Sequence, residues 1–130
     1  LKEDCSGRSS VVFERLKDHV NSIISGNKSE SENSRFQSRM ALSCAMLFIV
    51  TGEQKYLEAG KRYLKKSLDR YVEIEREEGG GYWEAVMIRR NCCFAWDWLY
   101  QGLDEQERQK MGETILRAGQ IAWDNKMFSP

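Results

Sequence analysis

The sequence predicts an all-α fold, and three features support that prediction. Its single proline is Pro130, so no proline interrupts the preceding residues. Apolar residues recur at helical rather than alternating spacing, and clusters of Gly, Ser and Asn separate the segments. The 20 basic and 20 acidic residues cancel. A neutral chain has neither the basic footprint of a nucleic-acid-binding protein nor a polybasic membrane anchor, so we expect no nucleic-acid and no membrane partner.

The first two predicted helices differ in how their apolar side chains are distributed. The first begins with Ser10 as N-cap, runs to about Ser25 and is ended by Gly26, and its apolar residues lie on one arc. After a polar linker, the second helix covers Ser34–Thr51 and is almost entirely apolar beyond Arg39. Its apolar run is too short to cross a membrane, so the second helix is predicted to be buried.

The third and fourth helices repeat this alternation. Glu53–Glu78 has one apolar arc and is otherwise charged, which predicts an outer helix. Gly79–Gly81 then breaks the chain, although it lacks the lysine and the preceding strand of a phosphate-binding loop. Tyr82–Tyr100 is apolar on all sides of a helical wheel. A helix of that kind is normally buried, so this one is predicted to be the helix around which the others pack.

A capping box predicts where the fifth helix begins. Gly102 marks a turn, Asp104 takes the N-cap position, and Glu107 follows three residues later. The amphipathic pattern continues to about Trp123, and Asp124–Pro130 forms a tail.

The order of the five helices is outer, inner, outer, inner, outer. The two inner helices begin at Ser34 and Tyr82, which are 48 residues apart (82 − 34). A period of this length is typical of helical-hairpin arrays, either an open solenoid or a closed (α/α) toroid. Because the inner helices show little of the solvated stripe that an open solenoid requires, the pattern favours a partial toroid. We expect residues 1–130 to form a single all-α domain that is part of a larger toroid.

The cysteines and the histidine give no sign of a metal site or a cofactor. Three of the four cysteines lie within apolar helical stretches, where a free cysteine behaves as a small hydrophobic residue. There is no C-x-x-C spacing, and His19 is the only histidine. We therefore predict no metal and no cofactor, and a surface or hydrophobic-staple role for His19.

Two segments resemble a known family of enzymes. They are TGEQKYLEAGKRYLKKSLD (Thr51 to Asp69) and RRNCCFAWDWLYQGLDEQERQKMGETI (Arg89 to Ile115). Both resemble the N-terminal α/α toroid of heparinase II/III-like, alginate-type polysaccharide lyases. The resemblance implies β-elimination on a uronic-acid-containing polysaccharide, with a tyrosine or histidine base, and a secreted or periplasmic location. The catalytic set of that family is not recognisable here, so this chain is expected to supply part of the substrate cleft and no catalytic residue.

Two other functions stay open. Related α/α toroids also serve glycoside hydrolases, and a non-enzymatic helical-repeat module could bind a protein partner through an open edge of the array.

Four residues are candidates for contact with an acidic polysaccharide. The outer-to-inner connections of such an array lie at one end, so Arg35, Tyr82 and Trp83 are expected to share a rim, where aromatic rings suit stacking on sugars. Arg35 could pair with a uronate carboxylate, and the favoured alternative is a solvated arginine at the start of its helix. Arg90 could face either the substrate or the neighbouring inner helix. For Tyr82 and Trp83 the alternative is a structural contact that closes the core.

Other residues of the fourth helix carry further expectations. Arg90 and Asp97 lie on one stripe but lean apart, so each is expected to need another buried partner. Trp96, Trp98 and Trp123 are predicted to be core residues.

With only two inner helices, an apolar strip should be left exposed. Its predicted members are Phe36, Met40, Phe94 and Trp98. An uncovered strip of that kind predicts association of the chain with itself, as a homo-dimer or a larger species.

Overall fold

The computed structural model describes residues 8–78 and 83–124, and within them it is helical with no strand. The all-α prediction is confirmed. The helices are α1 (Arg8–Ile24), α2 (Ser34–Thr51), α3 (Gln54–Glu78), α4 (Trp83–Leu99) and α5 (Glu105–Asp124), with a short 3₁₀ turn over Tyr100–Gly102.

The chain divides into two compact units, one up to Ser31 and one from Glu32 onward. The first unit contains α1, whose apolar arc includes the buried side chains of Val20 and Ile23. Gly26 ends this helix as predicted, with a φ of +80° and its N–H donating to the carbonyl of Ile23.

Local capping interactions fix the ends of α2. At its start, the side chain of Asn33 accepts a hydrogen bond from the backbone N–H of Arg35 at 2.8 Å. At its end, Gly52 has a φ of +69° and donates to the carbonyl of Phe48 at 2.7 Å. Glycine has no Cβ to oppose this left-handed conformation, so the chain can turn directly into α3.

The capping box predicted for α5 is confirmed. The N–H of Glu107 donates to Asp104 Oδ1 at 2.8 Å, and the N–H of Asp104 donates to Glu107 Oε2 at 2.9 Å. Glu107 Oε2 also lies 2.9 Å from Lys61 Nζ on α3, so the same carboxylate joins the start of α5 to α3.

In the second unit, α3 packs against α2, α4 and α5. The largest contacts are between α2 and α3 and between α2 and α4, and α3 meets α4 and α5 about equally. Three fully buried tyrosines, Tyr56, Tyr63 and Tyr71, lie along α3. Helix α3, which was predicted to be an outer helix, is therefore the one against which α2, α4 and α5 all pack.

Helices α2 and α4 form one layer of the second unit and α3 and α5 form the other, and the two helices within each layer are parallel. Ser34 of α2 donates a hydrogen bond to Glu84 of α4, and further along Ser38 pairs with Asn91, so α2 and α4 run in the same direction. In the other layer, Lys61 lies beside Glu107, and farther along the same two helices Tyr71 and Trp123 line one groove. Helices α3 and α5 are therefore parallel to each other as well.

The prediction that α4 is buried on every side is wrong. Its buried residues are Ala85, Ile88, Asn91, Cys92, Ala95 and Leu99, which form one arc. The opposite arc is exposed and includes Trp83 and Phe94, whose exposed fractions are 67% and 48%. Helix α2 likewise exposes Met46, Ile49 and Val50. In the described part of the chain, no helix is long and apolar enough to cross a membrane.

Two further burial predictions need correction. Met40, predicted to lie in the exposed strip, is only 3% exposed, whereas Phe36 and Trp98 are half-buried. Trp123, predicted to be a core residue, is 66% exposed, and Trp96 is half-buried. A wheel position shows which way a side chain points along its own helix and does not show which neighbour lies there.

Two glycines provide a test of the packing around α3. A Cβ at Gly102 would lie 2.6 Å from Leu57 Cδ1, whereas a Cβ at Gly119 of α5 would meet nothing within 4 Å. We expect Gly102→Ala to lower the free energy of unfolding by about 1–3 kcal/mol through overpacking. Gly119→Ala should raise it by roughly 0.5–1 kcal/mol through helix propensity. Urea denaturation of both variants checks this, and equal shifts would contradict the packing.

Candidate functional site

The N-termini of α2 and α4, the two helices predicted to be inner, lie at the same end of the second unit. The Ser34 hydroxyl, which is the first residue of α2, donates to Glu84 Oε1 near the start of α4. The expectation that these two helix starts share a rim therefore holds in the structure. Arg35 and Trp83 lie at these helix starts, Arg90 lies about two turns further along α4, and Tyr82 lies outside the described residues.

Two arginines of α2 point into solvent near this rim. Arg35 and Arg39 are both exposed and lie one helical turn apart, about 6 Å along the axis. Neither guanidinium forms a hydrogen bond or an ion pair with a residue that the structure describes. Both groups can therefore accept an anionic ligand without first losing a partner from the described part of the chain.

Trp83 opens α4 with most of its indole in solvent. Its side chain is 67% exposed, so the alternative prediction that Trp83 closes the core is wrong. An exposed indole offers a flat apolar face with one N–H donor, the combination that suits stacking against a sugar ring.

Arg90 is exposed and is tied to the contact between the inner helices. Its Nε and Nη2 each lie 3.4 Å from Asn91 Oδ1, and Asn91 Nδ2 donates to Ser38 Oγ of α2 at 3.1 Å. Asn91 is buried, so this amide is held by both helices. The expectation that Arg90 and Asp97 need buried partners is wrong, because both are exposed.

These side chains share one side of the inner layer, which we call the rim face and define as Arg35, Arg39, Trp83 and Arg90. Helices α2 and α4 contact each other along one line. Their exposed sides adjoin this line on one side, and α3 packs on the other side of it. Because Asn91 meets Ser38, Arg90 and Arg39 lie at nearly the same height on helices that pack about 8–10 Å apart. Arg39 was not among the predicted contact residues, although it follows Arg35 by four residues and therefore lies on the same face of the helix.

A second polar cluster joins α3 to α4. Arg89 Nη2 donates to Glu75 Oε1 at 2.5 Å, and Arg89 Nε donates to the phenolic oxygen of Tyr71 at 2.6 Å. The Glu75 side chain is completely buried, and Arg89 lies over the Tyr71 ring at 5.7 Å. A buried carboxylate is tolerated when it is paired and hydrogen-bonded, so this cluster fixes how α4 sits on α3.

This cluster does not fit the role of a catalytic base. Burial raises the pKa of Tyr71 to about 12, an effect that the hydrogen bond from Arg89 only partly offsets. A phenol with a raised pKa is a poor proton acceptor near neutral pH. His19, the other residue type that the resemblance implies as a base, lies exposed on α1.

An apolar groove adjoins the cluster between α3, α4 and α5. It has a volume of about 450 Å³ and is lined by Tyr71, Arg89, Cys93, Leu116 and Trp123, among others. Glu75 neutralises the charge of Arg89 from the buried side, so the described residues of the groove offer no free cation for an acidic sugar. Across the described residues, no group of three His, Cys, Asp or Glu side chains is placed to hold a metal ion.

Comparisons of the chain with protein families, curated proteins and solved structures find no match.

Removing Arg89 tests the structural role of the cluster. Arg89→Met leaves the completely buried Glu75 carboxylate without its guanidinium, so the free energy of unfolding should fall by about 3–5 kcal/mol. Arg70→Met removes the exposed pair with Glu73 and should cost at most about 1 kcal/mol. Chemical denaturation of the two variants checks this, and similar losses in both would show that the Arg89 cluster contributes little.

The raised pKa of Tyr71 predicts an alkaline loss of stability. Its folded pKa of about 12 exceeds the ordinary value of 10.0, so the unfolded chain releases this proton first as pH rises. The stabilisation is therefore complete below about pH 10 and is lost as pH approaches about 12. Denaturation between pH 8 and 11 should show a shallower decline for Tyr71→Phe than for the original chain. Parallel declines would contradict the assignment.

Proposed function

We propose that this chain forms part of the acidic-polysaccharide cleft of a heparinase II/III-like lyase toroid. In this proposal the rim face binds a uronic-acid-containing polysaccharide, and the residues that carry out β-elimination lie elsewhere in the parent protein. The single observation that carries the proposal is the exposed indole of Trp83 together with two exposed guanidiniums, Arg35 and Arg39, that pair with no residue the structure describes.

The chemistry of an acidic sugar fits the rim face. A guanidinium can donate two parallel hydrogen bonds to one carboxylate, and Arg35 and Arg39 present two such groups one turn apart. Trp83 supplies an apolar surface for a pyranose ring. Arg90, held through Asn91, adds a third cation at the height of Arg39.

The layered packing agrees with a toroid without establishing closure of a ring. Inner helices α2 and α4 are neighbours, and so are outer helices α3 and α5. A secreted or periplasmic location belongs to the same proposal, because the polysaccharides concerned are extracellular.

Binding of a uronic-acid oligosaccharide tests the proposal. Calorimetric titration with oligogalacturonate or a heparin-derived oligosaccharide should give measurable binding that Trp83→Ala weakens by about 1–3 kcal/mol. Arg35→Ala and Arg39→Ala should each weaken it by about 1–2 kcal/mol, a factor of roughly 5–30. Because all three side chains are exposed, the melting temperature should stay within a few degrees.

A matched control separates a site from general charge attraction. Arg117→Ala removes another exposed arginine, on α5, and should leave binding unchanged. A neutral oligosaccharide of the same length should bind much more weakly than the acidic one. Equal losses for Arg117→Ala and Arg35→Ala, or a large stability loss with unchanged binding for Trp83→Ala, would refute the rim face as a saccharide site.

A non-enzymatic interaction module is the second candidate. The observation that favours it is the exposed apolar surface of the inner layer, where Ile49 and Val50 of α2 are 56% and 59% exposed. If neither acidic oligosaccharide binds while the chain associates through this surface, the interaction function is the better description.

A further inference from the structure

The exposed side of α4 carries a regular seam that the fold leaves uncovered. Its members recur at alternating spacings of three and four residues, and every one of them is exposed: Trp83, Val86, Arg90, Cys93, Asp97 and Tyr100. This is the spacing with which one helix meets another along a shared line. Phe94, also exposed, widens the seam towards α2, where Met46 and Ile49 add apolar surface.

The two charges of this seam are opposite in sign and are not paired with each other. Arg90 and Asp97 lie seven residues apart, about 10.5 Å along the helix axis. Helical side chains lean towards the N-terminus, so Arg90 leans away from Asp97. Asp97 forms no hydrogen bond or ion pair with any residue that the structure describes, and the guanidinium of Arg90 contacts only Asn91 and Met87 there.

We propose that a second copy of this chain covers the seam, with the two α4 helices antiparallel about a twofold axis between Cys93 and Phe94. In that register Arg90 of one copy faces Asp97 of the other, because the two residues are equidistant from the axis. The symmetry repeats the pair, so one interface contains two such ion pairs.

Self-complementarity identifies the occupant as a second copy. If the twofold axis lay at Arg90 or at Asp97 instead, two like charges would face each other across the interface, which is unfavourable. Between the two ion pairs lie Cys93 and Phe94 of each copy, so the centre of the interface is apolar. Val86 and Tyr100 lie on either side and extend this apolar surface along the helix.

The inference does not depend on the proposed saccharide binding. It uses Arg90 and Trp83 in a different complex, so an acidic oligosaccharide that binds the rim face would compete with the second copy. Association is therefore measured without saccharide, and its outcome is separate from the titrations described above.

A charge exchange tests the interface and its register. Sedimentation equilibrium of the 130-residue chain at low salt and micromolar concentration should show a dimer of twice the 15.2 kDa monomer mass. Arg90→Asp and Asp97→Arg should each weaken association at least about tenfold, because each places like charges opposite each other twice. The double variant should recover affinity to within roughly threefold of the original chain, since it restores both pairs.

Arg117→Asp is the matched control, because it makes the same charge change on α5 and should leave the dimer intact. Circular dichroism confirms that each variant is helical. A monomeric original chain would overturn the proposal, and so would a double variant as weak as the single ones.

Cross-linking through Cys93 gives an independent readout. The twofold axis brings Cys93 of one copy beside Cys93 of the other, whereas Cys44 and Cys92 are buried. In a Cys5→Ser background, mild oxidation should give a covalent dimer that Cys93→Ser abolishes and that Arg90→Asp strongly reduces. Absence of this cross-link in a chain that sediments as a dimer would overturn the antiparallel register.

Discussion

The packing of α3 against three other helices is the constraint on which the rest of the second unit depends. Tyr56, Tyr63 and Tyr71 recur every seven or eight residues along this helix, and all three are fully buried. Large aromatic side chains contribute most of the apolar area that a small domain can bury. A helix that buries three such side chains needs several neighbours, and α2, α4 and α5 each cover part of its buried side.

One polar interaction then decides which side of α4 faces outward. Glu75 is completely buried on α3, and Arg89 of α4 reaches it together with Tyr71. Rotation of α4 about its axis would leave that carboxylate without its guanidinium, which is costly in a buried position. Because Arg89 is fixed on this side, Trp83, Arg90 and Phe94 are held on the exposed side. The structural cluster therefore determines the surface proposed for ligands and for the second copy.

The sequence was most informative where a structural signal is local. Gly26 and the Asp104–Glu107 capping box predicted helix ends correctly, because each acts through backbone groups a few residues away. The prediction of Ser10 as an N-cap was wrong, because α1 begins at Arg8. Burial of α4 could not be predicted, since an all-round apolar pattern does not show which neighbours are present. The sequence also gave no sign that Glu75 and Arg89 would meet, because they lie on different helices across the glycine linker. Arg35 and Trp83 were found from their positions at helix starts, and Arg90 from its place on the helical wheel. The shared height of Arg39 and Arg90 depends on the pairing of Ser38 with Asn91.

The parallel alignment within each layer also polarises the molecule. Each helix has the equivalent of about half a positive charge at its N-terminus and half a negative charge at its C-terminus. At the end where α2 and α4 begin, the inner layer therefore presents two positive helix ends, while α3 ends there with its negative one. The helix ends of the second unit thus produce an electric field directed across its two layers, although the formal charges of the whole chain cancel. At this end the helix dipoles lower the energy of an anion beside the starts of α2 and α4 and raise it beside the end of α3. This effect comes from the backbone and not from any side chain.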